Sequence, residues 1–175
     1  GMTHYMLDEE APARLALQRA VRSDRDFPGK EEGRQRLVLL EMDPKSVRGD
    51  ALSALEKKQQ ASPNDPVLLR RLAQIYEIQG DQGKVVATYE KVLQLTPRNS
   101  AVMLKLAQLY GGPLKNRSRA LEIARSARNL DSDDPQIAAT LGGLILQSGD
   151  FPYALTLLQE ASRKLPNDAS LLHDL

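Results

Sequence analysis

The sequence predicts an all-α chain of stacked helical hairpins, and three observations carry that prediction. Residues 66–99 hold two apolar helical faces, broken at Gly80-Asp81 and closed by Pro97. The same spacing returns in residues 100–134 and 135–168. Aromatic residues make up 4% of the chain and Trp is absent, so a core must be built mainly from Leu, Ala, Val and Ile, which suits stacked helices better than a β-sandwich.

Met2 to Lys30 lies outside the repeating pattern. Its first residues, with His4, read as a disordered tail. Residues 11–22 (APARLALQRAVR) read as a helix with Leu15, Ala16, Arg19 and Ala20 on one face and Pro12 in the first turn. This helix is expected to cap the open end of the stack, so that residues 1–31 form a tail and cap. The Pro28-Gly29 pair and its charged neighbours mark a loop.

Residues 32–65 read as a degenerate first hairpin. Its first helix, around Gln35 to Met42, places Val38, Leu39 and Met42 in the core. Its second carries Ala51, Leu55 and Lys58 before Ser62-Pro63-Asn64-Asp65. Leu39 is large for a close helix approach, and Asp43-Pro44 replaces the Gly-Asp turn, so a splayed pair is expected here.

Residues 66–99 are the clearest unit. Leu69, Leu72, Ala73 and Tyr76 share one helical face, and small Ala73 permits close approach. Gly80 suits a left-handed C-cap. Val85, Tyr89, Val92 and Leu93 then form a second face, which Pro97 ends. Residues 100–134 repeat this with Met103, Leu106-Ala107 and Tyr110, then Ala120, Ala124 and Ala127. The intervening turn, GGPLKNRS over 111–118, is one residue longer. Residues 135–168 follow with Ala138, Leu141-Gly142 and Ile145, Gly149-Asp150, and Ala154, Leu158, Ala161 and Pro166. Residues 169–175 (ASLLHDL) start a further first helix with Leu172 and Leu175 in core positions. The expectation is a piece of a longer array whose last apolar face, with Leu141, Ile145 and Leu158, supports self-association.

The period of about 34 residues and the run Leu69, Leu72-Ala73, Tyr76, Gly80, Val85, Tyr89, Val92, Pro97 resemble the tetratricopeptide repeat (TPR). Val85 and Val92 depart from it, standing where the family usually has Ala. The resemblance implies a right-handed superhelix, an α-α solenoid, whose first helices line the concave side. The fourth unit further resembles the long TPR proteins of bacterial envelopes and exopolysaccharide systems. A piece of a larger bacterial protein is therefore expected.

Composition bounds the function. A net charge of +1 predicts neither nucleic acid nor a membrane surface. Arg117, Arg119, Arg125 and Arg128 make one helix basic, but no aromatics are interleaved, and a solvated face is expected. Cysteine is absent, which excludes disulfides and Cys-based metal sites without deciding the compartment. No apolar run reaches the roughly 18 residues of a membrane span, and no signal peptide is visible. Gly1 before Met2 reads as a protease-cleavage scar, so localisation stays open between cytoplasm and periplasm.

Catalytic constellations are not visible. His4 and His173 lack ligand partners at helical spacing. Gly111-Gly112-Pro113 is not followed by the Lys-Ser/Thr of a phosphate loop. Asp131, Asp133 and Asp134 lack the Gly and the distal Glu of a calcium loop. Asp134 is instead expected to cap the next helix, with Pro135 at its first position. No enzyme activity, cofactor or metal is expected.

What the resemblance implies is a non-catalytic scaffold that binds a protein or peptide in the concave groove. Groove positions carried over from the family are Arg36, Leu40, Val67, Arg70, Arg71, Gln74, Glu77, Leu104, Lys105, Gln108, Gln136 and Thr140, with Ala101, Ala139 and Gly143 between them. Arg70, Arg71 and Lys105 supply positive charge, Gln74 and Gln108 supply amides, and Leu40, Val67 and Leu104 supply apolar contact. This mix suits an acidic and apolar peptide. The carboxylate clamp of one TPR subclass is not expected, because Leu40 and Ala101 stand where it needs Asn and Lys. The alternatives are a homo-oligomerisation module or the regulatory domain of a multidomain enzyme.

Overall fold

A computed structural model describes residues 1–23 and 25–166. The expected helix over 169–175, with Leu172, His173 and Leu175, lies outside the described residues. All regular structure in the described residues is helical. The chain divides into two compact units, Gly1–Pro97 and Arg98–Leu175.

The first unit holds α1 (Met2–Met6), α2 (Glu10–Arg22), α3 (Lys30–Glu41), a single 3-10 turn at Pro44–Ser46, α4 (Gly49–Ala61), α5 (Pro66–Gln79) and α6 (Gln82–Leu95). The hairpin of α5 and α6 is its best-packed part. Asp65 caps α5 by accepting the Leu68 N–H, and Pro66 takes the first position, where a missing N–H costs nothing. Gly80 ends α5 at φ +77°, a conformation that a side chain disfavours, and Asp81 caps α6 through the Lys84 N–H. Leu69, Leu72, Ala73, Tyr76, Val85, Tyr89 and Val92 are all buried. The Tyr76 hydroxyl donates to Glu56 of α4 at 2.8 Å.

The residues before 62 depart from the expectations in three ways. The N-terminal residues form helix α1 rather than a disordered tail, and Tyr5 within it is fully buried. On α2 the buried residues are Ala13 and Leu17, while Leu15 is exposed. The two helices of the expected hairpin over 32–65 take other partners, α3 packing against α2 and α4 against α5. This pairing shifts the register of α3. Leu39 and Leu40 are both buried, and Val38 is 63% exposed. A helix packed on α2 and α5 at once must bury two adjoining faces. Gly33 is buried at this contact and faces Leu17 and Val21 of α2.

The second unit holds α7 (Ser100–Gly111), α8 (Arg117–Leu130), α9 (Pro135–Leu146) and α10 (Phe151–Lys164). α7 packs on α8, α9 on α10, and α9 also on α7 and α8. Asn99, Asn116, Asp134 and Asp150 cap the four helices through their side chains. The core is lined by Leu106, Ala107, Ala120, Ala124, Ala127, Ala138, Leu141, Ala154, Leu158 and Ala161, all at most 1% exposed. Small residues set the helix spacing. A Cβ on Gly142 would stand 3.0 Å from Leu158 and 3.3 Å from the Leu157 Cβ, so α9 and α10 approach backbone to side chain at this point. The longer turn after α7 closes with Lys115 at φ +51° and the Asn116 N–H donating to the Tyr110 carbonyl at 2.7 Å.

Candidate functional site

The groove residues expected from the sequence fall into two sets, one in each unit. In the second unit, α7 presents Ala101, Lys105 and Gln108 as exposed residues and Leu104 as a half-buried one. α9 presents exposed Gln136 and half-buried Ala139, Thr140 and Gly143. The Gln108 Nε2 donates to the Thr140 Oγ1 at 3.3 Å, which joins the two helices across this face. The result is an accessible strip of amide, hydroxyl, ammonium and aliphatic groups on two adjacent first helices.

The first unit differs. Leu40 and Val67, expected to offer apolar contact to a partner, are 2% and 0% exposed and belong to the core. Arg71 is also buried. Its Nε donates to the Leu39 carbonyl at 2.9 Å, its Nη2 to the Leu40 carbonyl at 2.7 Å, and its Nη1 to Gln74 at 3.0 Å. It further pairs with the Glu10 carboxylate. Arg71 thus closes the C-terminal end of α3, where helical carbonyls lack intrahelical donors. Arg70 lies beside it, its Nε 2.8 Å from Asp8 and its Nη2 2.9 Å from Glu10. Arg36 pairs with Glu32 at 2.7 Å and lies over the Tyr5 ring at 4.7 Å. Glu77 is exposed at the end of α5, and its carboxylate acts on the buried Tyr89 hydroxyl.

Three residues that the sequence had not marked therefore organise this site: Tyr5, Asp8 and Glu10. The Tyr5 hydroxyl donates to Asp65 Oδ2 at 3.0 Å, while Oδ1 of the same carboxylate caps α5. Asp8 turns the chain at φ +56°, a left-handed conformation that Asp tolerates better than most residues. Its side chain is 1% exposed. Burial, then the Asp65 carboxylate, push the Tyr5 hydroxyl far up. Burial works to raise the Glu10 carboxyl, but Arg70 and Arg71 outweigh it and hold the group below the usual range. Burial opposes the Arg70 charge, and Asp8 and Glu10 restore it. The sequence signal was an acidic run at residues 8–10, three residues past a tyrosine, against an Arg-Arg pair on α5.

Among the described residues, no group of His, Cys, Asp and Glu side chains could hold a metal ion. No helix among them is long and apolar enough to cross a membrane.

No protein-family model matches the chain, and neither does any curated protein. Solved structures do. A tetratricopeptide repeat protein from Parabacteroides merdae aligns over 95% of this chain and 64% of its own, with a TM-score of 0.65 at 16% identity. This chain therefore spans just under two thirds of that protein. MamA aligns over 96% of this chain and 95% of its own, with a TM-score of 0.63 at 15% identity. A thermophilic TPR protein in Thermus thermophilus aligns over 98% and 91%, with a TM-score of 0.56 at 21% identity. At such identities the likeness is one of fold, and it agrees with the helical pairs described above. The chain has the tetratricopeptide-repeat fold, an all-α solenoid of helical hairpins.

Proposed function

We propose that the chain is a non-catalytic scaffold that binds a protein segment along the first-helix face of its second unit, on α7 and α9. On this reading the repeats are residues 66–99, 100–134 and 135–168, with the helices before residue 62 as a variant N-terminal part. The observation that carries the proposal is the α7–α9 face. Lys105, Gln108 and Gln136 stand exposed on two adjacent helices, with half-buried Thr140 and Leu104 on the same helices. Such a surface offers hydrogen bonds from amides and a hydroxyl, one cationic group, and aliphatic area for an extended or helical peptide. The TPR fold supports the same reading by analogy, since stacked repeats present extended binding surfaces.

The test is an affinity capture that compares the wild-type chain with a Lys105→Glu plus Thr140→Arg variant. Circular dichroism and a thermal melt first establish that both are folded. A partner held by the wild type and lost by the variant supports the α7–α9 face as the binding surface. Equal retention of every captured protein removes that face from the proposal.

A further inference from the structure

We infer that the Arg70–Arg71 pair on α5 is a carboxylate-recognition site for an acidic peptide, held closed by residues 3–10 of the same chain as a built-in competitor. The inference rests on the scaffold reading above and names the chemistry of one of its ligands.

The contact is made almost wholly by side chains. The backbone bonds of the arm are internal to it, from Tyr5 to Gly1, Leu7 to Thr3, Asp8 to Tyr5 and Glu9 to His4. What joins the arm to α5 is Tyr5 on Asp65, Asp8 on Arg70, and Glu10 on Arg70 and Arg71. An incoming segment with an aromatic hydroxyl, a carboxylate three residues on and a second carboxylate two residues beyond that can make the same bonds. Nothing in the α5 backbone has to change to receive it.

The two arginines are suited to different parts of the task. Arg71 is anchored from below by the Leu39 and Leu40 carbonyls, so its guanidinium stays oriented when the arm leaves. A donor fixed in advance loses little freedom on binding. Arg70 takes both of its ion-pair partners from the arm, so displacement of the arm exposes its charge. A guanidinium takes carboxylate and phosphate alike, so selection lies in the spacing of one hydroxyl and two carboxylates against Asp65, Arg70 and Arg71. The ligand is thus a peptide of the form Tyr-x-x-Asp-x-Glu.

The experiment uses a fluorescein-labelled peptide of residues 3–11 (THYMLDEEA) and follows its anisotropy against three full chains. These are the wild type, the Asp8→Asn plus Glu10→Gln variant, and that variant with Arg70→Gln added. The neutral substitutions loosen the arm and leave its shape. Binding is expected to be at least tenfold tighter to the double variant than to the wild type, and to vanish with Arg70→Gln. Equal affinity for wild type and double variant, or no binding to either, overturns the inference. Native-state hydrogen exchange on the unmodified chain decides the matter independently should the variants not fold. The amides of Tyr5, Leu7, Asp8 and Glu9 are expected to exchange at least a hundredfold faster than those at the centre of α5. Arm and α5 amides exchanging at one slow rate mean that the arm opens only on global unfolding, and the inference fails. That failure is separable from failure of the scaffold reading, which is read at Lys105 and Thr140 instead.

Discussion

Helices α1 to α4 begin without a side-chain cap, whereas α5 to α10 each begin on an Asp or Asn whose oxygen accepts an N–H of the first turn. The two regions are held differently as a result. The later hairpins have their ends specified by residues next to them in sequence and their packing by small apolar residues such as Ala73, Ala107 and Gly142. The earlier helices are tied down by polar contacts across long stretches of chain, from Tyr5 to Asp65, Asp8 and Glu10 to Arg70, and Arg71 to Leu39 and Leu40. Local specification gives hairpins that form wherever their sequence occurs. Long-range charged contacts give an arrangement that depends on one particular set of partners.

The largest effect is expected where the early region depends on a single group. Arg71→Met keeps the aliphatic stem but strips the Leu39 and Leu40 carbonyls of the Arg71 donor and leaves Glu10 with Arg70 alone. Leaving a buried acceptor without its donor costs about 1–3 kcal/mol, and two carbonyls of α3 lose theirs here. Urea unfolding should show a loss of that size, with the signal concentrated in the N-terminal unit. A loss within about 0.5 kcal/mol, the range of ordinary surface substitutions, would refute the dependence on long-range polar contacts.

The matching test of the later region concerns space. Gly142→Ala gains helix propensity worth up to about 1 kcal/mol. It also drives a methyl against Leu158, which is 1% exposed, and against the Leu157 Cβ, which is attached directly to the backbone of α10. Overpacking of this kind costs typically about 1–3 kcal/mol, so net destabilisation is expected. Gly83→Ala on α6 meets nothing nearer than 3.8 Å and is expected to stabilise by up to about 1 kcal/mol. If both substitutions stabilise in thermal melts, close packing of α9 on α10 is not what places Gly142.

A smaller effect is expected at a helix cap. Asp134 accepts the Gln136 N–H at 2.7 Å and the Ile137 N–H at 3.3 Å. Asp134→Ala should cost roughly 0.5–2 kcal/mol, and Asp134→Asn should recover most of it, because the amide oxygen accepts the same bond. Failure of Asn to rescue would mean that the carboxylate charge, rather than the cap bond, is what matters there.

The same division explains how much was legible beforehand. Helices α5 to α10 could be read because their signals are local. Asp65-Pro66, Gly80-Asp81 and Asp134-Pro135 punctuate them, and Leu72-Ala73, Leu106-Ala107 and Leu141-Gly142 repeat at one spacing. The early helices could not be read as well, because their register is set by partners that no local pattern announces. Val38 and Leu40 are both apolar, and only the packing of α3 on α2 and α5 decides that Leu40 is buried and Val38 exposed. The residues expected to line a groove divide along the same boundary. On α7 and α9, Lys105, Gln108 and Gln136 are exposed and Thr140 is half-buried. Val67 and Arg71 sit at equivalent positions on α5, but the N-terminal helices cover them. A repeat period says which face a residue takes and not what else in the chain lies on it.

The contrast between the two regions also makes an expectation about pH. Glu10 faces Arg70 and Arg71 from α5, with Asp8 beside it and Gln74 accepting from Arg71. Burial raises its pKa, and the two guanidinium groups more than reverse that, leaving it below its ordinary value of 4.5. A carboxyl depressed on folding binds fewer protons in the folded than in the unfolded state. Its contribution to stability is therefore complete above the unfolded pKa and fades as pH falls through the folded one. Glu10 is partly exposed, so solvent screens the pair and the effect should be the smallest of those described here. Urea midpoints taken at neutral pH and at successive steps below 4.5 should fall more steeply for the wild type than for Glu10→Gln, which carries no titrating carboxyl at this position. Parallel curves for the two proteins would show that the Glu10 charge does not hold the early helices, and would leave Asp8 and the Arg71 contacts with the α3 carbonyls as the polar ties that matter.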